Sequence, residues 1–129
     1  MILGVGTDIV EIKRVAHAAK SNAFLRKCFT ESELERCYAK TSPALHLAGC
    51  FAAKECVAKT LGSGFRGFWP RDVEICVDIN GKPYVRLGQS VPAPPGIHLE
   101  ISISHSREYA TAIAICWINK ETTHEPTTH

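Results

Sequence analysis

The sequence predicts a single α+β domain, with an N-terminal strand and helices first and an antiparallel sheet after them. Three observations carry this. Helical periodicity is confined to the first half and stops near Gly62, two-residue alternation dominates from Val73 to Ile118, and Asn80-Gly81 separates two alternating runs as a hairpin turn does. The 129 residues suit one domain with a real core, taken as residues 1–118 with a polar tail at 119–129.

The elements follow in order. Residues 2–12 read as a strand whose Leu3, Val5, Thr7 and Ile9 share one face, with Gly4, Gly6, Asp8 and Val10 on the other. Two glycines beside Asp8 leave that face open to close approach. A helix from about Glu11 to Lys20 turns Ile12, Val15, Ala16 and Ala19 inward, and Lys13, Arg14, His17 and Lys20 make its polar face basic. Thr30-Glu31-Ser32-Glu33 is a capping box opening a second helix, with Leu34, Cys37 and Tyr38 inward. Ser42 as N-cap and Pro43 at the first helical position open the main helix, and Gly62 closes it. Its apolar stripe is Leu47, Cys50, Phe51, Val57, Ala58 and Leu61. Residues 73–79 and 84–87 form a hairpin around Asn80-Gly81, with a strand over 99–104. Residues 109–118 are apolar on both faces, which predicts a central strand.

Composition narrows the function classes. Apolar content of 45% and charged content of 22% suit a soluble globular protein, and a net charge of +2 gives no bulk attraction to nucleic acid. No apolar run spans a bilayer, and Met1-Ile2-Leu3-Gly4 puts no basic leader ahead of an apolar segment, so neither a membrane span nor a signal peptide is expected. Cysteines 28, 37, 50, 56, 76 and 116 contain no Cys-x-x-Cys pair, which favours reduced thiols and a cytoplasmic location.

The chemistry concentrates on the main helix. Glu55 and Lys59, four residues apart, project from neighbouring turns on the shoulder of the apolar stripe. Lys54 lies within the stripe, where its stem can be buried while its head reaches out to a partner. Asp8 and Glu55, should they meet, fit a hard divalent cation: two carboxylates suit Mg²⁺, which completes its octahedron with water and phosphate oxygens. Lys54 and Lys59 would offset the remaining phosphate charge. The loop Gly62-Ser63-Gly64-Phe65-Arg66-Gly67 has a Gly-x-Gly-x-x-Gly spacing but follows a helix, whereas a dinucleotide site needs strand, loop and then helix. It reads either as a plain helix-capping loop or as a ligand-contacting one. Ser104-His105-Ser106 sits on a strand, where neighbours face opposite ways, so it is no hydrolase triad. His105 at a strand end is still a reasonable ligand contact.

Together the motifs resemble the holo-[acyl-carrier-protein] synthases, the small 4′-phosphopantetheinyl transferases. The likeness rests on Gly6-Thr7-Asp8-Ile9-Val10-Glu11-Ile12, on Phe51-Ala52-Ala53-Lys54-Glu55 with Ala58-Lys59, on Ser102-Ile103-Ser104-His105-Ser106 and on Asn80-Gly81-Lys82-Pro83, and covers residues 1–117. It implies transfer of phosphopantetheine from coenzyme A to a serine of apo acyl carrier protein, releasing adenosine 3′,5′-bisphosphate, in fatty acid and lipid biosynthesis. It implies Mg²⁺ on Asp8 and Glu55, with Lys59 adding positive charge and Glu55, a water on the metal or His105 as the base. It implies a homotrimer with active sites between subunits. Asp8, Glu55, Lys59 and the Gly62, Ser63, Gly64 and Phe65 loop would come from one subunit, and Lys82, Pro83 and His105 from its neighbour. An acidic carrier protein would dock on Lys13, Arg14, His17 and Lys20, joined by Arg26 and Lys27. One departure stands out: Cys50 replaces the arginine of the family's usual Leu-Ala-Gly-Arg-Phe-Ala-Ala-Lys-Glu, so Lys40, His46 or Arg66 would help hold the 3′-phosphate. The competing readings are a coenzyme-binding module without catalysis and a metal-dependent phosphohydrolase.

Overall fold

The N-terminal strand β1 (Ile2–Glu11) and the long helix α4 (Pro43–Thr60) meet unusually closely, and glycines permit it. A Cβ on Gly4 would collide with the Thr60 carbonyl oxygen, and one on Gly6 with the Cys56 carbonyl oxygen. The computed structural model describes residues 1–62 and 64–119. Beyond these two strips come α1 (Ile12–Ala18), α2 (Asn22–Cys28), α3 (Glu31–Tyr38), a 3-10 turn (Pro70–Asp72), β2 (Val73–Val77), β3 (Pro83–Leu87), β4 (His98–His105) and β5 (Tyr109–Trp117).

The main sheet is antiparallel in the order β1-β5-β4, and β2-β3 is a separate hairpin. β5 is central, as its composition predicts. Its inner face carries Ala110, Ala112, Ala114 and Cys116, all buried. In register with them stand Val10, Asp8, Gly6 and Gly4 of β1. This strip of small side chains makes the seat for α4. The Cys56 thiol donates to the Ala112 carbonyl at 3.0 Å, which fixes the helix along the sheet.

The helix is enclosed more fully than a single stripe implies. Ala48, Gly49, Ala52, Ala53 and Cys56 are buried along with Leu47, Cys50, Val57 and Ala58, because α1, α3 and β2 cover the side turned away from the sheet. Pro43 opens the helix, and Gly62 follows its end with φ +85°, the left-handed backbone a glycine accepts without strain. Ser42 is the N-cap without a side-chain cap bond.

Several boundaries move. α1 runs from Ile12 to Ala18 rather than Glu11 to Lys20, since Glu11 still pairs with Tyr109 in the sheet. α2 has no counterpart in the sequence reading; Ser21 caps it by accepting from the Phe24 amide at 3.2 Å. The Thr30 capping box is present in full, but Tyr38 faces solvent. The hairpin loop holds three residues rather than two. Asp78 and Lys82 still pair, the Gly81 amide bonds the Asp78 carbonyl at 3.0 Å, and Gly81 takes φ +85°. All six cysteines are free thiols. No described helix is long and apolar enough to cross a membrane. Beyond Asn119, the expected tail lies outside the described residues, as does Ser63.

Candidate active site

β1 brings Asp8 to the α4 side of the sheet, two residues beyond Gly6, and α4 presents Glu55 and Lys59 to it. Lys59 joins the two elements: its ammonium donates to Asp8 Oδ1 at 2.9 Å and to the Thr7 carbonyl at 2.9 Å. This bond holds the lysine protonated above its ordinary range. The pair is partly open, with the Lys59 side chain 51% exposed and that of Asp8 16%. Its worth is geometric, because screening leaves such pairs little stability.

Glu55 differs. Its carboxylate forms no hydrogen bond or ion pair among the described residues. Burial first, and then the Asp8 charge, push its carboxyl above the usual glutamate value, against the pull of Lys59. An unpartnered carboxylate, raised in part by the charge of a second acid beside it, is a fitting seat for a cation. No group of three or more His, Cys, Asp or Glu side chains able to hold a metal occurs among the described residues. Asp8 and Glu55 could offer a cation two carboxylates, a number that suits Mg²⁺ sharing its shell with phosphate oxygens. The nearby Cys56 thiol is pushed up to about 12 by burial and is committed to the Ala112 carbonyl.

Lys54 is a correction. Its head does not reach out to a ligand. It is fully buried and ion-paired with Glu33 Oε1 at 2.8 Å, and it donates to the Val73 carbonyl at 2.7 Å and the Pro70 carbonyl at 3.1 Å. An ammonium has three N–H donors, and all three are used, so none is left for a phosphate. Periodicity placed the residue on the inner face correctly; it could not show that Glu33 waits there.

Pro83 and His105 border a cavity of about 240 Å³ together with Arg36, His46 and Cys50. The His46 and His105 rings stand 6.4 Å apart. Burial, followed by Lys40, His105 and Arg36, holds His46 below its ordinary pKa. Cys50 is itself buried, with its thiol pushed well up, so it lends this cavity shape and no charge. Arg36 was missed by the sequence reading, which had no signal to set it apart from other surface cations. Lys82 lies beside Pro83 but is ion-paired with Glu100 at 2.6 Å. Asp8 and Lys59 border a different cavity, of about 550 Å³, with Ser102, Ser104 and Thr111. Within one chain the two groups of expected site residues thus face separate spaces.

The loop after α4 is held where it starts, with the Gly62 amide on the Lys59 carbonyl at 3.0 Å and that of Gly64 on the Ala58 carbonyl at 3.2 Å. Phe65 packs on Phe68, with ring centroids 5.4 Å apart. Lys13, Arg14, His17 and Lys20 are all exposed, though Lys20 lies past the end of α1. Arg14 also rims an apolar cavity of about 480 Å³ floored by Val15, Phe24 and Phe51. Phe51 is one helical turn before Glu55, so this cavity opens beside the acid pair.

Comparison with known proteins shows the family. The sequence profile described as the 4′-phosphopantetheinyl transferase superfamily matches residues 4–114. The holo-[acyl-carrier-protein] synthase of Protochlamydia amoebophila is 48% identical over 122 residues, covering 89% of this chain and 98% of the relative. That of Fusobacterium nucleatum is 42% identical over 120 residues, covering 89% and 98%. Among solved structures, the Bacillus anthracis holo-(acyl-carrier-protein) synthase in complex with CoA (3′,5′-ADP) superposes with a TM-score of 0.80 at 30% identity, covering 92% of this chain and 99% of that one. The Helicobacter pylori enzyme in complex with coenzyme A gives 0.75 at 28% identity, covering 88% and 99%. The chain belongs to the 4′-phosphopantetheinyl transferase superfamily, and its relatives there are holo-[acyl-carrier-protein] synthases.

Proposed function

We infer that the chain transfers 4′-phosphopantetheine from coenzyme A to a serine of apo acyl carrier protein, releasing adenosine 3′,5′-bisphosphate, and that it does so with Mg²⁺ on Asp8 and Glu55. The observation that carries the metal reading is the half-buried Glu55 carboxylate, unpartnered and raised by burial and by Asp8. When bound, Mg²⁺ neutralises pyrophosphate oxygens and stabilises the charge gathering on the leaving phosphate. Lys59 keeps Asp8 oriented through its bond to Oδ1 and adds positive charge at the same edge. Arg36 gives the second cavity the positive charge that a 3′-phosphate needs, in place of the charge Cys50 does not supply, and His46 and His105 add ring nitrogens for hydrogen bonds. Gly62, Gly64 and Phe65, in the loop after α4, form the surface against which the coenzyme lies.

The carrier protein docks on the exposed basic residues Lys13, Arg14, His17 and Lys20, with the apolar cavity behind Arg14 taking a nonpolar side chain. The enzyme works as a homotrimer. The outer face of the main sheet supports this, since Leu3, Val5, Ile9 and Ile113 are exposed on it among the described residues. A neighbouring subunit would then bring Lys82, Pro83 and His105 to the Asp8 side. Sedimentation as a monomer at working concentration would remove that part of the reading. The pathway is fatty acid and lipid biosynthesis in the cytoplasm.

The test of the reaction is direct. The chain, apo carrier protein, coenzyme A and Mg²⁺ are incubated and the carrier is weighed intact. A gain of one phosphopantetheine is expected. An unchanged carrier, with coenzyme A bound, would leave a binding module; free phosphopantetheine would indicate a hydrolase.

A further inference from the structure

The residue next to Glu55 does something else. Lys54 Nζ is bonded to Glu33 of α3, to the Pro70 carbonyl of the 3-10 turn and to the Val73 carbonyl at the start of β2, and it lies 5.6 Å from the Phe29 ring centroid. Glu33 extends the network. Its Oε1 also accepts from the Thr30 amide at 2.8 Å, and its Oε2 accepts from the Ile75 amide at 2.6 Å. Both side chains are fully buried.

Pro70 is where the loop that leaves α4 at Gly62 lands. At the near end that loop is tied to α4 by the Gly62 and Gly64 amides. Residues 65–68 make no backbone hydrogen bond among the described residues, so the segment depends on its two ends and on Phe65 and Phe68 packing. At the far end, the Trp69 amide reaches Asp72 Oδ2 at 2.8 Å and Lys54 holds Pro70. One side chain of α4 therefore fixes the end of a loop whose other end is α4 itself.

We propose that Lys54 is a positioning residue, a buried clamp that with Glu33 holds the Pro70 end of the loop after α4 against that helix and so positions Gly64 and Phe65 for coenzyme A. The clamp stands on the contacts above; its effect on coenzyme A rests on the reading that Gly62, Gly64 and Phe65 touch the coenzyme. Lys54 itself makes no contact with substrate.

The test uses the full chain. Lys54→Met removes all three donors, and Lys54→Gln keeps at most two without the charge. Leu47→Ala, a buried α4 residue outside the network, supplies a stability control. Native-state trypsin nicking after exposed Arg66, read by mass, reports the loop, and the KM for coenzyme A reports the site. Nicking is expected to rise roughly ten-fold or more in both Lys54 variants, less in Gln than in Met, and to change by no more than about two-fold in Leu47→Ala when compared at equal distance below each melting temperature. The KM for coenzyme A should rise by about ten-fold with kcat within about three-fold. If Lys54→Met does not fold, Lys54→Gln carries the comparison. Wild-type nicking in the Lys54 variants, or an equal rise in Leu47→Ala, overturns the clamp. Faster nicking with an unchanged KM keeps the clamp and overturns the loop's part in binding coenzyme A.

Discussion

Replacing Gly6 with alanine should cost more activity than stability. The new methyl would lie inside contact distance of the Cys56 carbonyl oxygen, and 3.1 Å from both Lys59 Cβ and the Thr60 amide nitrogen. All of these belong to α4, two of them to its rigid backbone, so β1 must retreat by on the order of 1 Å rather than a side chain turning aside. Overpacking of this kind costs about 1–3 kcal/mol, and the entropy lost by the unfolded chain returns at most about 1 kcal/mol. For a domain of this size the melting temperature falls by roughly 4–11 °C before that offset. Catalysis suffers further, because the strand that retreats carries Asp8 two residues on, away from Glu55 and Lys59. A displacement of about 1 Å can lower kcat/KM by ~10²-fold. The assay pairs a thermal melt with timed weighing of the carrier protein. Gly4→Ala is the comparison, since its methyl collides with the Thr60 carbonyl oxygen but enters four residues before Asp8, about 13 Å along the strand. It should destabilise comparably and lower kcat/KM by no more than about ten-fold. Gly6→Ala with wild-type kcat/KM, or equal losses in the two variants, would refute the idea that this close approach positions the acid pair.

Other outcomes follow from the same geometry. Arg36→Ala should raise the KM for coenzyme A about ten-fold, with kcat little changed, in steady-state assays of carrier modification. His46 sits below its ordinary pKa of 6.5 through burial and through Lys40, His105 and Arg36. The unfolded chain therefore takes up this proton first, and stability falls as pH drops below 6.5. Denaturant melts of His46→Gln between pH 8 and pH 5 should show a flatter profile; the wild-type slope in that variant would contradict the assignment. Arg14→Glu should raise the KM for an acidic carrier about ten-fold at low salt, with a smaller effect at high salt, while the KM for coenzyme A stays put.

Much of this site is legible in the sequence because it depends on local spacing. The alternation of β1 places Gly4, Gly6 and Asp8 on one face, and the four-residue step from Glu55 to Lys59 places both on one shoulder of a helix. Gly62 and Pro43 mark that helix at its ends by backbone requirements that hold in any fold. What was not legible depends on what lies across the core. Lys54 falls in the apolar stripe, and a lysine there can snorkel outward or pair inward. Only Glu33, Pro70 and Val73 decide, and they come from three other segments. Arg36 joins His46 and His105 through packing of α3 against α4 and the end of β4, a proximity no spacing encodes. The short α2 follows α1 after a break of only three residues, and its Ser21 cap was its main local sign.

The most direct measurement of the acid pair is the mass of the carrier protein after incubation with coenzyme A and either the wild-type chain or Glu55→Gln, across a Mg²⁺ titration. The wild type should modify the carrier with Mg²⁺ and fail once a chelator removes it. Glu55→Gln should melt no lower than the wild type, because it removes a carboxylate whose charged form burial disfavours, yet it should leave the carrier unmodified at every Mg²⁺ concentration. Near wild-type modification by Glu55→Gln, or by the wild type in chelator, would contradict a metal held between Asp8 and Glu55.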